Sequence, residues 1–240
     1  MPRIMKKPLL TLFFAVFCTA LFAQVSTQEK QALIDFYHAT NGEKWHHTWQ
    51  LDQPVSAWKG VTVEDKKVTG ITLLFNNVEG TIPASIGDLA NLKTLELSFN
   101  NISGELPATI GNLKNLNILA FNGNNLRGSI PSSIGELNKL QQLHLSSNKL
   151  SGTVPTTVKK LKNLEIFNVF DNNLTGELPT DLAQNDNIKE FMVAENNFSN
   201  PELFSIVLLS NSGAGLDLNQ KTALTSPANS IIAIEKNEDE

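Results

Sequence analysis

Histidine, serine and cysteine are the side chains that could carry out catalysis or bind a metal in this sequence. His46 and His47 adjoin Glu43, which together offer metal-ligand types, but adjacent residues of an extended chain point apart and no third ligand follows at a recognisable spacing. The other two histidines, His38 and His144, have no nucleophile and orienting acid at a spacing that indicates a catalytic site. The many serines occupy repeated turn positions. The sequence therefore predicts no enzyme, no metal site and no cofactor.

The only cysteine, Cys18, lies in an apolar run near the amino terminus. This run spans residues 8–22 and follows Arg3, Lys6 and Lys7, which is the arrangement of a signal peptide. It is shorter than the roughly 20 apolar residues of a membrane span, and no second candidate follows. We expect residues 1–23 to be removed, leaving a mature chain without thiol chemistry or a transmembrane segment. A lipid anchor on Cys18 is a disfavoured alternative, because bulky Phe17 precedes it.

The charge of the chain limits its partners. It has 24 acidic and 19 basic residues, with a formal net charge of −5, and loss of the basic signal peptide would make it more negative. A nucleic-acid partner requires a basic surface to meet its phosphates. We therefore expect no nucleic acid among the partners, and we interpret the acidic end, residues 235–240, as a solvated tail.

A period of 24 residues organises most of the remaining sequence. Asparagine recurs at this interval six times, at Asn76, Asn100, Asn124, Asn148, Asn172 and Asn196. In the first five units glycine stands four residues after the asparagine and proline seven residues after it. In the sixth unit Asn200 and Leu203 take those places. Such self-similarity predicts a solenoid whose units bury their apolar residues only by stacking on one another.

Each unit predicts the same sequence of short elements. Apolar residues precede the asparagine by eight, five and three positions, as Leu140, Leu143 and Leu145 precede Asn148, and the last two alternate as in a strand. The asparagine amide can satisfy backbone groups that turn inward after the strand. The glycine–proline segment should form the second side of the solenoid, followed by a short helical turn on its outer face.

The pattern Leu-x-x-Leu-x-Leu-x-x-Asn-x-Leu-x-Gly-x-Ile-Pro resembles the plant-type leucine-rich repeat, as in the extracellular repeat domains of plant receptor-like kinases. The resemblance implies an α/β solenoid: a right-handed horseshoe with a parallel concave β-sheet, short helical turns on the convex side and an N-terminal helical cap. The expected organisation is a signal peptide at 1–23, an N-terminal cap at 24–67, six 24-residue repeats at 68–205, and a C-terminal cap with an acidic tail at 206–240. Within the last segment, residues 216–219 resemble a truncated further strand.

Residues 26–63 resemble the amino-terminal cap of the family. Ser26 and Glu29 have capping-box spacing at the start of an amphipathic helix, and Asn41-Gly42 offers a left-handed stop. The three tryptophans, Trp45, Trp49 and Trp58, all fall in this segment. We interpret them as a lid over the end of the core in preference to a sugar-binding platform.

The cap also departs from the plant pattern. Plant members usually flank the Trp-x-Gly-Val segment, here residues 58–61, with a cysteine pair, whereas Ser56 and Val63 stand in those places. This departure, together with the Phe-Ala-Gln sequence at the expected cleavage site, is similar to what an exported bacterial relative would have. We therefore expect a bacterial protein that is secreted or held in the periplasm or at the cell surface.

The residues six, four and two positions before each asparagine vary between units, and the family resemblance implies that they face the concave side. From them we predict a partner-binding surface. Its residues are Glu96, Ile118, Asn122, Gln142, His144, Ile166, Asn168, Phe170, Glu190 and Met192. Its four apolar members, if exposed among polar ones, would indicate a protein or peptide interface; alternatively, they pack on one another along the sheet.

These observations together predict a secreted, noncatalytic recognition module that acts as a monomer and binds a protein or peptide. The acidic residues near the predicted surface favour a neutral or basic ligand. The alternative is an adhesive or structural surface protein that binds cell-wall or extracellular polysaccharide.

Overall fold

The computed structural model describes residues 25–200. The predicted signal peptide, C-terminal cap, further strand and acidic tail lie outside the described residues. Within this range the chain begins with helix α1 (Thr27–Ala39), and each later unit contributes one strand to each of two sheets.

The larger sheet has seven strands, in the order β1-β2-β4-β6-β8-β10-β12. They are β1 (Val61–Glu64), β2 (Lys67–Thr72), β4 (Thr94–Glu96), β6 (Ile118–Ala120), β8 (Gln142–His144), β10 (Ile166–Asn168) and β12 (Glu190–Met192). From β2 onward all neighbours are parallel. This is the parallel sheet that the repeat pattern predicts.

Strand β1 was not predicted. It lies in the cap segment and pairs antiparallel with β2, so that Thr62 lies opposite Gly70. Asp65 and Lys66, which join the two strands, both have positive φ, as the right-handed twist of a two-residue hairpin requires. Because neither residue is a glycine, turn composition did not indicate this hairpin.

The glycine–proline segments form a second parallel sheet and not only a turn. Its strands are β3 (Glu79–Thr81), β5 (Asn101–Gly104), β7 (Asn125–Gly128), β9 (Lys149–Gly152), β11 (Asn173–Gly176) and β13 (Asn197–Phe198). The predicted outer turns follow the prolines. Four are 3-10 helices, at Ala84–Asp88, Ala108–Asn112, Ser132–Glu136 and Thr156–Lys160, and the last is a short α-helix, α2 (Thr180–Ala183).

The repeated leucines and the repeated asparagines form one continuous interior. Leu140, Leu143 and Leu145 are completely buried. The Nδ2 of Asn148 donates to the carbonyls of Phe121, Leu145 and Ser146 at 2.9–3.1 Å, and its Oδ1 accepts from the Leu126 N–H at 3.0 Å. The expected asparagine ladder is thus present, and each amide ties its own turn to the repeat before it.

The cap helix starts where the capping-box spacing predicts. The Oγ of Ser26 accepts from the Glu29 N–H at 3.2 Å, and left-handed Asn41 follows the end of the helix. Glu29 is buried and accepts at 3.3 Å from both the Val68 N–H and the Asn91 Nδ2. A single carboxylate therefore ties the cap helix to β2 and to the first repeat.

The three tryptophans are buried and pack on one another. Trp49 stacks on Trp58 with ring centroids 5.0 Å apart, and it meets Trp45 edge-on at 4.9 Å. Two further cap residues, Val61 and Val63, pack against the same core. The tryptophans thus cover the end of the core, as the lid interpretation predicts, and leave no open aromatic face for a sugar.

Candidate functional site

Cross-strand register brings most of the predicted binding residues into two adjacent rows. One row runs Thr94, Ile118, Gln142, Ile166, Glu190; the other runs Glu96, Ala120, His144, Asn168, Met192. The intervening residues, such as Leu143 and Phe167, point into the core, so both rows lie on the opposite face of the sheet. Asn122 and Phe170 follow their strands at the turn.

Some polar side chains on this face are already hydrogen-bonded to neighbouring residues of the protein. The Oδ1 of Asn122 accepts from the N–H and the hydroxyl of Ser146 at 3.0 and 2.9 Å. The Oδ1 of Asn168 accepts from the Phe170 N–H at 3.1 Å, and Asn168 is only 8% exposed. Buried Asn168 therefore offers little to a partner, whereas Asn122, Gln142 and His144 are half-buried. The His144 Nε2 and the Gln142 Oε1 are 3.3 Å apart.

The four apolar residues expected to be exposed are half-buried. Ile118, Ile166, Phe170 and Met192 have intermediate burial, because strands about 4.8 Å apart bring side chains of one row into contact. The expectation that these four side chains are fully exposed is therefore corrected in favour of the alternative, in which they pack along the sheet. Each side chain still exposes part of its surface to solvent.

The charge on this face is negative near neutral pH. Glu96 and Glu190 are half-buried within the rows, and Asp171 and Glu195 are exposed at the turns beside them. Burial lowers the pKa of His144 below its usual value, while the nearby Glu190 carboxylate partly offsets this effect. His144 therefore adds no positive charge at pH 7.

A second surface, which the sequence patterns did not predict, contains the large apolar side chains that are exposed within residues 25–200. These are Leu74, Phe75 and Phe99, with 41%, 66% and 50% of their surface exposed; we call them the aromatic corner. They lie between the two sheets, where the chain leaves β2 and β4. The rings of Phe75 and Phe99 are stacked, with centroids 4.6 Å apart and planes 5° apart.

The aromatic corner lies at a turn position with a left-handed backbone. The residue just before each ladder asparagine has positive φ in every described repeat; these residues are Phe75, Phe99, Gly123, Ser147, Asp171 and Glu195. This position belongs neither to the repeated apolar core positions nor to the varied concave positions, so neither pattern pointed to it. Comparing it between repeats would have revealed two aromatic residues where glycine or small and acidic residues are otherwise found.

The match to a family model identifies the kind of solenoid. Residues 73–201 match the model described as "Leucine-rich repeat region", which is more than half of the chain. The chain belongs to the leucine-rich-repeat family. The larger sheet is accordingly the concave sheet of the solenoid, and the outer turns lie on its convex side.

Solved structures support the plant-type assignment. The ectodomain of the Arabidopsis thaliana receptor kinase GASSHO1/SCHENGEN3, in complex with CASPARIAN STRIP INTEGRITY FACTOR 2, is 27% identical with a TM-score of 0.67, over 70% of this chain and 21% of that one. The ectodomain of the Arabidopsis receptor kinase HAESA, in complex with an IDA peptide hormone, is 30% identical with a TM-score of 0.66, over 72% and 29%. A plant ice-binding protein is 27% identical with a TM-score of 0.66, over 73% and 58%. This repeat chain therefore spans less than a third of the two receptor ectodomains.

His46 and His47 hydrogen-bond to the first repeat through their backbone N–H groups. The N–H of His46 donates to the Asn76 carbonyl at 3.0 Å, and the N–H of His47 donates to the Asn76 Oδ1 at 2.7 Å. The pair thus closes the first rung of the asparagine ladder through its backbone. Among residues 25–200 there is no cluster of three or more side chains suited to a metal, and no helix there is long and apolar enough to cross a membrane.

The second sheet carries a broad polar groove of about 650 Å³. It is lined by Glu79, Asn101, Ser103, Asn125, Arg127 and Lys149. Arg127 and Lys149 are register partners on β7 and β9. The repeat chain thus has one face that is acidic and partly apolar, and another that is polar with local positive charge.

Proposed function

We propose that this leucine-rich-repeat chain is a noncatalytic recognition module that binds a peptide, or an extended segment of a protein, on its concave sheet. The observation that carries the proposal is the contrast between the two sides of that sheet. Inward residues such as Leu95, Leu119 and Leu143 are alike and buried, whereas the outward rows change chemistry from repeat to repeat. A surface that varies on a constant scaffold suits selective binding.

The chemistry of the concave rows favours a partner with apolar and basic groups. Ile166, Phe170 and Met192 offer partly exposed apolar surface, and Glu190 lies beside Ile166 in the same row. Apolar contacts supply affinity, while carboxylates select for a positive ligand and speed its approach. The HAESA ectodomain, which was solved with a peptide hormone, is a leucine-rich-repeat solenoid that binds a peptide.

We further propose that the chain is exported by a bacterium and acts in the cell envelope or outside the cell. The signal-peptide pattern at residues 1–23 and a mature sequence without cysteine support export. The similarity to receptor ectodomains, which are extracellular by definition, supports the same location.

Selection from a displayed library of random twelve-residue peptides tests the binding proposal. The folded wild-type chain should enrich peptides that lose at least tenfold in affinity when Ile166→Asp and Phe170→Asp are combined, because buried contact would be replaced by charge. Lys162→Asp with Asn173→Asp is the matched control, since both residues are exposed and lie outside the concave rows. Failure to enrich any peptide, or equal affinity for the concave variant with an unchanged melting temperature, would contradict the proposal.

Polysaccharide binding is the alternative, and the exposed aromatic rings bear on it. Sugars pack on open ring faces, but Phe75 and Phe99 cover one face of each other. A glycan array probed with the wild-type chain gives the discriminating result. Retention that disappears in Phe75→Gly/Phe99→Gly would favour the polysaccharide alternative.

Ice binding is a second candidate, which the similar plant ice-binding protein and the second sheet suggest. Asparagine is the first residue of four strands of this sheet, at Asn101, Asn125, Asn173 and Asn197, and the Asn101 Nδ2 donates to the Asn77 Oδ1 at 3.0 Å. Lys149 interrupts the row, and Arg127 adds another charge, which weakens the case for a flat, regular hydrogen-bonding array. Inhibition of ice recrystallisation that is lost in Asn101→Asp/Asn125→Asp would support this candidate, and no inhibition by the wild type would exclude it.

A further inference from the structure

The aromatic corner contains side chains that the fold itself does not require. The same left-handed backbone is adopted by Gly123, Ser147 and Asp171 in later repeats. Glycine, and to a lesser degree aspartate, suits this conformation, whereas a bulky side chain is strained in it. Phe75 and Phe99 therefore combine backbone strain with exposure to water at a position where smaller residues suffice. Strain of this kind concentrates at functional sites.

The arrangement of the two rings limits what they can bind. Phe75 covers one face of Phe99. The Phe99 ring also lies close to Gly123, where an added Cβ would come within 2.8 Å of the Phe99 Cδ1. The two rings still expose 66% and 50% of their surface, so the stack offers a partner an apolar contact.

Beside the stack is a small cleft with a polar rim. The cleft has a volume of about 220 Å³, and its lining includes His46, Phe75, Asn77, Phe99 and Asn101. Clefts that enclose a whole small-molecule ligand start at roughly 300 Å³. This one is the size of an anchor point for part of a larger partner. Asn77 already bonds to the Lys44 carbonyl and to the Asn101 Nδ2, so the Asn101 Oδ1 is the amide group that can accept from the partner's backbone.

In the last two described repeats, the turn position that Phe75 and Phe99 occupy carries an acidic residue. After Gly123 and Ser147 come Asp171 and Glu195, both exposed. Neither carboxylate forms an ion pair within residues 25–200. With about 4.8 Å between strands, these carboxylates lie roughly 14 and 19 Å along the solenoid from Phe99. An extended chain covers such distances in roughly four to six residues.

We propose that the partner is an extended peptide that places an apolar side chain against the aromatic corner and a lysine or arginine, roughly four to six residues away, beside Asp171 and Glu195. This inference rests on the proposed peptide-binding function and adds to it an anchor, a spacing and a charge. The corner supplies the apolar contact, and the acidic turns select the basic residue.

Sequencing of the peptides enriched from the random twelve-residue library tests the inference. Wild-type chain should enrich an apolar residue followed or preceded at that spacing by a basic one. These peptides should bind Phe75→Gly/Phe99→Gly at least tenfold more weakly, although this variant should keep its melting temperature because Gly123 uses the same backbone. Phe75→Ser/Phe99→Ser, which copies Ser147, provides a second variant in case the glycines loosen the turn.

A second double variant tests the acidic turn residues Asp171 and Glu195. Asp171→Asn/Glu195→Gln should remove the preference for a basic residue and flatten the salt dependence of binding, leaving the apolar preference in place. Enriched peptides without a fixed spacing, or with unchanged affinity for both corner variants, would overturn the inference. If the inference failed in this way but Ile166→Asp/Phe170→Asp still abolished binding of the enriched peptides, the proposed function would survive. If the wild-type chain enriched no peptide, the proposed function and the inference would both fail. Glycan retention that depends on the corner would also overturn the inference.

Discussion

The amide of each repeated asparagine serves two neighbouring repeats. Nδ2 of Asn172 donates to the Leu145, Val169 and Phe170 carbonyls at 3.0–3.2 Å, and its Oδ1 accepts from the Leu150 N–H at 3.0 Å. Removing one partner of a buried hydrogen bond leaves the other unsatisfied, which costs about 1–3 kcal/mol for each group. The asparagine period therefore has a direct energetic cause.

Asn148→Ala should lower the free energy of unfolding by at least about 1–3 kcal/mol, because the buried Leu126 N–H would lose its acceptor. The Phe121, Leu145 and Ser146 carbonyls would each lose one of their two donors. Urea unfolding followed by circular dichroism measures this change. Asn173→Ala is the control, since this exposed asparagine lies outside the ladder, and it should stay within about 0.5 kcal/mol of the wild type. Equal losses for the two variants would contradict the role given to the ladder.

His144 should titrate below its usual midpoint of about 6.5, because burial disfavours the charged ring. The unfolded chain then takes up a proton at higher pH than the folded chain. His144 consequently leaves stability unaffected above about pH 6.5 and reduces it as the pH falls below that value towards the folded-state pKa. An NMR titration of the ring measures the midpoint, and Glu190→Gln should lower it further. A midpoint at or above 6.5 would contradict this assignment.

Among the elements, the convex turns depend on close packing at a single glycine position. A Cβ at Gly111 would lie 2.5 Å from the Ser133 carbonyl oxygen in the next turn, and Gly87 and Gly135 are similarly confined. The fourth 3-10 turn has Lys159 at this position and faces the short helix α2 in place of another 3-10 turn. The replacement of glycine by Lys159 thus coincides with the replacement of the neighbouring 3-10 turn by α2.

Gly111→Ala should destabilise the solenoid by about 1–3 kcal/mol through overpacking. Lys159→Ala, at the equivalent position of a later repeat, should have little effect because a Cβ is already present there. Thermal unfolding of the two variants beside the wild type provides the measurement. If Gly111→Ala were neutral, the convex turns would have to be farther apart than the structure shows.

The sequence predicted the repeated elements better than the single ones. A period of 24 residues predicts the concave strands, the asparagine ladder and the outer turns, because the same burial requirement recurs in every unit. Strand β1 occurs once and turns at Asp65 and Lys66 without a glycine, so neither periodicity nor turn composition indicated it. For the candidate site, register predicted which residues share a face, but not how far neighbouring rows bury Ile118 and Ile166. The corner was missed because Phe75 and Phe99 occupy a turn position where aromatic residues are unfavourable.

In the whole molecule, the cap and the repeats form one core. Trp49 packs between Trp45 and Trp58, and its Nε1 donates to the Lys59 carbonyl at 2.9 Å. Stability in a solenoid is approximately the sum of repeat and neighbour contributions. Loss of the cap should therefore weaken the first repeats most.

Trp49→Ala should lower the free energy of unfolding by about 3–5 kcal/mol, as expected for a large buried aromatic residue. Trp49→Phe should recover part of the loss by keeping an aromatic ring in the stack. Hydrogen exchange checks the location of the effect: the amides of β2 and β4 should lose more protection than those of β10 and β12. A uniform loss along the solenoid would contradict the neighbour-by-neighbour picture.

We expect the partner to bind on the concave sheet. Amide chemical shifts of the isotopically labelled wild-type chain, recorded while the tightest selected peptide is added, test this expectation most directly. We predict that the largest changes fall on β6, β8, β10 and β12 and on the turns that follow the concave strands, including those at Phe75 and Phe99. Changes confined to the convex 3-10 turns or to the second sheet would contradict this expectation.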